Sequence, residues 1–301
     1  MFENISIIGC GLIGSSILRA IVKKKISKNI NIFDKSKETL SYLKKEIPNI
    51  KIANDISLSV KNADLIIIAA PLSAYKEILL SIKDNIKKNI ILTDTGSAKK
   101  EINKTIENLN LKNISWIGSH PIAGTEESGP KAGFAELFEN RWNIISPSNQ
   151  AKNKDIEKLK IFWETIGCKI KLMSFEEHDH ILSLTSHLPH AIAYNLVRTA
   201  IKNDDKFRQD IIQYSAGGLR DFSRIAASDP VMWRDIFIDN SQNILNVLDN
   251  FSTNLEEMKE AIKEKKGDKL FKLFSSTKEL RKEIIKAGQD TSKPDFGRKK
   301  D

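Results

Sequence analysis

The sequence predicts an α/β protein: a doubly wound parallel sheet over residues 1–173, an all-α domain over 174–290 and a disordered tail at 291–301. Three observations carry this prediction. Up to about residue 173, short β-branched runs alternate with amphipathic stretches, the pattern of strands covered by helices on both faces. After Leu172-Met173 the β-branched clusters stop, and apolar residues recur at three- and four-residue spacing. Residues 9–14 read Gly-Cys-Gly-Leu-Ile-Gly between a strand-like run and a helical one.

Strands are expected at 4–9, 29–34, 50–53, 64–69, 89–94, 114–118, 142–146 and 169–173. Helices fall between them near 12–24, 36–46, 73–84, 98–108 and 153–166. The second half is expected as helices over 178–202, 204–215, 219–227, 230–252 and 254–288. Long helices with broad apolar faces pack against a partner, so a homodimer built through this half is expected. The tail carries Pro294, Gly297 and charged residues, a composition that resists folding.

The glycine run is a dinucleotide-binding fingerprint in its proper context, which makes the sheet Rossmann-type. Gly9 allows the tight turn, Gly11 admits a pyrophosphate close to the backbone, and Gly14 lets the helix pack on the sheet. The helix N-terminus, with Leu12 and Ile13 in its first turn, offers unpaired N–H groups to phosphates. Asp34 follows the last glycine by twenty residues, at the end of Ile30-Asn31-Ile32-Phe33. A carboxylate there accepts hydrogen bonds from the ribose hydroxyls of NAD and repels the extra phosphate of NADP, so NAD is the expected cofactor. Lys35 and Lys37 could offset part of that repulsion, and Asp34 could instead cap the helix beginning near Ser36.

With 301 residues, 40% hydrophobic and 29% charged, the chain has material for two globular domains. Cys10 and Cys168 form no close pair, so neither a disulfide framework nor a zinc site is signalled, and a reducing cytoplasm fits. No leader and no membrane-length apolar run is present, so neither export nor membrane insertion is expected. The net charge of +9 comes from lysines scattered over helical faces without interleaved aromatics, which argues against a nucleic-acid partner. A positive field would still draw in a small polyanionic substrate.

Open α/β sheets bind ligands beyond the carboxyl ends of their strands. Two such segments carry polar chemistry. In Thr93-Asp94-Thr95-Gly96-Ser97-Ala98-Lys99, Ser97 caps a helix, contacts an anionic ligand, or does both. In Gly118-Ser119-His120-Pro121-Ile122-Ala123-Gly124-Thr125-Glu126, His120 lies in a loop after a strand, extended by Pro121. It is either a general base facing the nicotinamide or a histidine satisfying loop carbonyls.

In the helical half, Ser186-His187-Leu188-Pro189-His190 places Pro189 in a first helical turn, with Ser186 or His187 near the cap. The two histidines lack a third ligand at recognisable spacing, so no metal is expected, and donation to a substrate carboxylate is favoured. Arg224, beside Phe222, Ile225 and Ala226, is expected on a partly buried face, paired with Asp221 or with a ligand carboxylate. Arg220 and Arg234 read as surface or interface residues.

These motifs, in this order and spacing up to about residue 288, resemble the prephenate dehydrogenase family with its arogenate- and cyclohexadienyl-dehydrogenase members. The most specific part is the histidine loop together with Asp221-Phe222-Ser223-Arg224 and Asp229-Pro230-Val231-Met232-Trp233-Arg234. The resemblance implies NAD-dependent oxidative decarboxylation of prephenate to 4-hydroxyphenylpyruvate, or of arogenate to tyrosine, in tyrosine synthesis. It implies His120 as base, Ser97 on the reacting hydroxyl and Arg224 on a substrate carboxylate. Ser186, His187, His190 and Thr125 would line the pocket, Glu126 and Asp221 would tune Arg224, and Trp233 would lie near the dimer-related site. No fused chorismate mutase or regulatory domain is expected. The rivals are another Rossmann dehydrogenase with a helical dimerisation half, and a catalytically silent NAD-sensing module.

Overall fold

The computed structural model describes residues 2–111, 114–125, 127–202 and 207–287. Among them are eight strands: β1 (Asn4–Ile8), β2 (Asn29–Phe33), β3 (Lys51–Ile52), β4 (Leu65–Ile68), β5 (Ile90–Asp94), β6 (Ile114–Pro121), β7 (Trp142–Pro147) and β8 (Lys169–Leu172). They form one sheet in the order β3-β2-β1-β4-β5-β6-β7-β8, parallel throughout except for the antiparallel pair β6–β7. The helices accompanying the sheet are α1 (Leu12–Lys23), α2 (Lys37–Glu46), α3 (Ile56–Val60), α4 (Tyr75–Ile82), α5 (Lys100–Asn108) and α6 (Asn153–Ile166). The helical half contributes α7 (Phe175–Leu182), α8 (Leu188–Lys202), α9 (Arg208–Gln213), α10 (Gly217–Arg224), α11 (Pro230–Asp239), α12 (Ser241–Lys263) and α13 (Gly267–Lys286).

Two apolar layers hold the sheet. Strand β4 shows how: Leu65 and Ile67 join the core with Ile17, Leu18, Phe162 and Trp163, whereas Ile66 and Ile68 join the opposite core with Ile78, Leu79 and Ile102. Side chains alternate along a strand, so an unbroken apolar run is what burial on both faces requires. Trp233 and Ile236 of α11 extend the second core. The chain divides into two compact units, Met1–Ile244 and Leu245–Asp301. Among the described residues, no helix is long and apolar enough to cross a membrane.

The structure departs from the sequence expectation at several places. Helix α3 was not anticipated; it is five residues long, too short for a helical period, and starts where Asp55 accepts the Ser57 N–H at 2.7 Å. Strand β6 continues through His120 to Pro121, because β7 returns antiparallel and supplies partners, pairing His120 with Ile144. His120 is therefore a strand residue and not a loop residue. Helix α5 begins at Lys100, and Ser97 does not cap it.

In the helical half, α7 begins at Phe175 behind a capping box in which Ser174 and Glu177 each bond the other's backbone N–H. The chain then runs through a π turn, Ser183–His187, where the Leu188 N–H reaches the Ser183 carbonyl. Pro189 thus lies within continuous helix and starts none; proline lacks the N–H for a regular turn, and a π turn is a common accommodation. The expected break near Thr253 is absent, since its hydroxyl bonds the Asp249 carbonyl at 3.0 Å and α12 continues. The expected tail at 291–301 lies outside the described residues.

Ile67, fully buried between Ile7 and Thr93 in register, tests this core. Ile67→Ala is expected to lower unfolding free energy by about 2–5 kcal/mol, read by urea titration as a lower midpoint at unchanged slope.

Candidate active site

The glycine loop has the geometry of a phosphate cradle. Gly9 turns with φ +89°, and a Cβ there would lie 2.6 Å from the Ala69 carbonyl oxygen. A Cβ on Gly14 would collide with the Gly9 carbonyl. At Gly11, by contrast, the space a Cβ would take is open, and no side chain caps α1. The open cradle and the first-turn N–H groups of Leu12 and Ile13 fit a pyrophosphate. Asp34 accepts from the Cys10 N–H at 2.7 Å and the Ser36 N–H at 2.8 Å, which ties the loop to the tip of β2. The cap of α2 is Ser36, not Asp34. Lys35 pairs with Glu77 at 3.3 Å on the surface.

Beyond β5, the fully buried Asp94 collects four donors: the Lys99 ammonium at 2.5 Å, the Tyr75 hydroxyl at 3.2 Å, and the N–H groups of Gly96 at 2.9 Å and Ser119 at 3.0 Å. The turn carrying half-buried Ser97 is thereby tied to β6. Lys99 is equally buried and runs past Gly118, where a Cβ would come within 3.1 Å of its Cδ. Burial pushes the Lys99 ammonium pKa down against the pull of Asp94.

His120, one residue before the end of β6, is buried at the carboxyl edge of the parallel strands. Its Nδ1 lies 2.9 Å from His178 Nε2, and His178 Nδ1 lies 2.7 Å from Asp179 Oδ1. Asp179 also accepts the backbone N–H groups of Lys99 at 2.8 Å and Lys100 at 2.9 Å, so it caps α5 from α7. Burial holds the His120 pKa well below the usual imidazole range, reinforced by His178, Lys99 and His187. His178 is held well below it by the same burial, with Lys99 and His187 adding to it.

His187, in the π turn, is pushed down to about 4, mainly by burial. The Asn240 amide N–H₂ donates to its Nδ1 at 3.0 Å and to the Asp179 carbonyl at 2.8 Å, so His187 carries its proton on Nε2. That nitrogen is buried beside the Ser97 backbone, with no partner in bonding geometry among the described residues. His190 donates from Nδ1 to the Ser186 carbonyl at 2.9 Å and stacks on Trp233 with centroids 3.6 Å apart. Burial lowers its pKa, and the Arg224 charge adds to that effect.

The structure therefore gathers His120, His187 and the Ser97 turn into one cluster, and Ser186, His190, Trp233 and Arg224 into a neighbouring one. Arg224 departs from the expected partly buried face. It ends α10, which has no buried residue, and Phe222 beside it is 55% exposed. Asp221 lies 3.6 Å from Arg220. Arg234 forks onto its neighbour Asp235 at 2.9 and 2.6 Å. Thr125 is exposed and accepts the Glu127 N–H at 3.3 Å. Glu126 lies outside the described residues. Trp233 is buried in its own chain against His190 and Phe237. Among the described residues no group of three or more His, Cys, Asp or Glu side chains is arranged to hold a metal. Sequence reasoning missed Asp94, Lys99, His178, Asp179 and Asn240; the readable signal was Ser174-Phe-Glu-Glu177, a capping box that starts a helix just before His178.

Comparison with known proteins identifies the family. The chain matches the model of the prephenate dehydrogenase nucleotide-binding domain over residues 17–172 and that of the dimerization domain over 174–276. Cyclohexadienyl dehydrogenase of Zymomonas mobilis is 40% identical over 281 residues, 93% of this chain and 96% of that protein. Prephenate dehydrogenase of Bacillus subtilis is 32% identical over 283 residues, 93% of this chain and 76% of that protein. Prephenate dehydrogenase of Aquifex aeolicus, solved with hydroxyphenyl propionate and NAD+, superposes with a TM-score of 0.86 at 31% identity, covering 94% of this chain and 99% of that one.

The neutral buried histidines make stability sensitive to acid. Above about pH 6.5 the rings are uncharged whether folded or not and contribute nothing. As pH falls below that, the unfolded chain binds protons first and stability is lost until the folded pKa is reached. For His187, whose folded value is about 4, this window corresponds to about 3 kcal/mol. The melting temperature is expected to fall steadily from pH 6.5 to pH 4.5; a flat profile would mean that these rings are charged in the fold.

Proposed function

Because the chain belongs to the prephenate dehydrogenase family, we propose that it oxidatively decarboxylates prephenate, arogenate or both, yielding 4-hydroxyphenylpyruvate or tyrosine as a step of tyrosine biosynthesis. The chain is an NAD-dependent oxidoreductase of this type. The observation that carries the reading is His120: a neutral, buried imidazole at the carboxyl edge of the sheet, with Nδ1 engaged by His178 and Nε2 left for substrate.

The residues divide the work as follows. Gly9, Gly11, Leu12, Ile13 and Gly14 hold the pyrophosphate of NAD, and Asp34 its ribose hydroxyls. Lys35 is drawn toward Glu77, which favours NAD over NADP. When bound, NAD supplies the hydride acceptor. Hydride leaves carbon 4 of the cyclohexadienol ring while the hydroxyl there passes its proton to His120. The electrons of the breaking bond to the carboxylate complete the aromatic ring as carbon dioxide departs, and His120 returns its proton to the phenolate oxygen. Ser97 shares the hydroxyl, and His187 Nε2–H, with no partner in bonding geometry among the described residues, offers a donor beside it.

Arg224 receives a substrate carboxylate with Thr125, Ser186 and His190 around it, Glu126 and Asp221 tune Arg224, and Trp233 fixes His190 by stacking. The exposure of Arg224 suits a group that meets an incoming anion from water. A homodimer belongs to the same proposal, supported by the exposed Leu255, Ile262, Phe271, Phe274 and Leu280 of α12 and α13. So does a cytoplasmic setting, in which the free thiols of Cys10 and Cys168 persist.

Initial rates with purified prephenate and arogenate, each with NAD and NADP, test the proposal directly; no turnover of either substrate would overturn it. In the same assay His120→Asn is expected to lower kcat roughly 10²- to 10⁴-fold with NAD affinity intact, and to remove the acidic limb that in wild type lies below the ordinary imidazole range. Arg224→Ala is expected to lower kcat/KM roughly 30- to 1000-fold, chiefly through KM. A near-normal KM in the folded variant would place the anion site elsewhere.

A further inference from the structure

His178 and Asp179, side by side in α7, are 0% and 1% exposed, and no substrate contact in the reading above uses them. Burying a carboxylate and an imidazole together requires that every polar atom be matched. Asp179 meets this with three N–H donors: Lys99 N and His178 Nδ1 on Oδ1, and Lys100 N on Oδ2. Backbone amides only donate, and they converge here on the N-terminus of α5, where negative charge is favoured. The carboxylate therefore accepts at all three bonds.

The consequences pass from ring to ring. His178 carries its proton on Nδ1, so in the neutral ring Nε2 is a lone pair. The 2.9 Å contact to His120 Nδ1 then requires His120 to donate. His120 is left with an unprotonated Nε2. We infer that His178 and Asp179 are a positioning relay that holds His120 in its Nδ1–H tautomer, so that Nε2 is always the nitrogen able to accept a proton. The inference rests on the reading of His120 as the base.

The relay also addresses the charge that His120 acquires when it takes a proton. The groups facing His120 are Lys99, from the turn before α5, His178 on α7 and His187 in the π turn, each of which opposes its protonation. Asp94 offsets Lys99 from β5, and Asp179 is the carboxylate behind His178. A transient positive charge on His120 is balanced through His178 by that carboxylate, as in other acid–histidine pairs that orient a base. Because Asp179 also caps α5, one side chain aligns both the base and the helix that follows Ser97.

Three substitutions separate a relay from packing. His178→Leu keeps an apolar filling but removes the acceptor; His178→Gln offers a carbonyl oxygen that can take the same proton; Asp179→Asn keeps the shape and removes the charge. Expected are a fall in kcat of roughly 100-fold for His178→Leu with KM nearly unchanged, and recovery to within about tenfold of wild type for His178→Gln. Were His178 only filler, the leucine variant would match or exceed the glutamine variant, and that order would overturn the relay. Asp179→Asn should lower kcat and move the acidic limb to lower pH, because the protonated His120 loses its balancing charge.

Two-bond nitrogen–proton correlation spectra of histidine-labelled wild-type protein read the tautomer without turnover. They are expected to show His120 protonated on Nδ1, and protonation on Nε2 would overturn the inference. A crippled His120→Asn with a fully active, folded His178→Leu would reject the relay alone; a fully active His120→Asn would reject the base and the relay together.

Discussion

Asp94 and Lys99 sit with no exposed surface where β5 ends, and taking two such charges out of water costs several kcal/mol each. The cost is offset only because Asp94 also receives a tyrosine hydroxyl and two backbone amides, so that the carboxylate is saturated. One of those amides belongs to Ser119, which fixes β6 beside β5 just before His120. The ion pair thus joins the turn carrying Ser97 to the strand carrying His120. Burial foremost, then His178 and the Lys99 charge facing that strand, keep the imidazole neutral. Removing one partner would strand the other, a penalty of about 3–5 kcal/mol, and would loosen both segments together.

Seen from that pair, the site is a set of matched donors and acceptors in which few polar atoms are idle. Asn240 donates to His187 and to the Asp179 carbonyl, while Asp179 receives His178 and the start of α5. His120 and His187 are thereby set to opposite ring tautomers, one presenting an acceptor at Nε2 and the other a donor. A substrate hydroxyl, which is both donor and acceptor, suits such a pair. Trp233, on which His190 stacks, belongs to the core on one face of the sheet.

What the sequence reveals and what it hides follow from the range of the interactions. The glycine loop is legible because the tight turn, the open cradle and the contact of Gly14 with Gly9 all fall within six consecutive residues, even though the space at Gly9 is also closed by the distant Ala69. The strands are legible because burial on both faces demands apolar runs such as Leu65-Ile66-Ile67-Ile68. The extension of β6 is hidden, since the partners that make His120 a strand residue lie in β7, more than twenty residues on. Asp179 capping α5 spans eighty positions and leaves no local trace. Arg224 misleads for the converse reason: apolar neighbours in sequence suggest burial, yet α10 turns Phe222 and Arg224 outward.

The π turn at Ser183–His187 absorbs an extra residue. Each residue of an α-helix advances the helix by about 100°, and a π turn is in effect one residue inserted into that advance. Helix α7 presents His178 and Asp179 on one side of the turn, and α8 presents His190 on the other. Excising a single residue from the turn would restore regular helix with the flanking faces nearly in phase, and would remove the wide turn that sets Ser186 and His187. Thr185, Ser186 and their neighbours are thus held in number as much as in kind, and this segment should tolerate substitution more readily than any change of length.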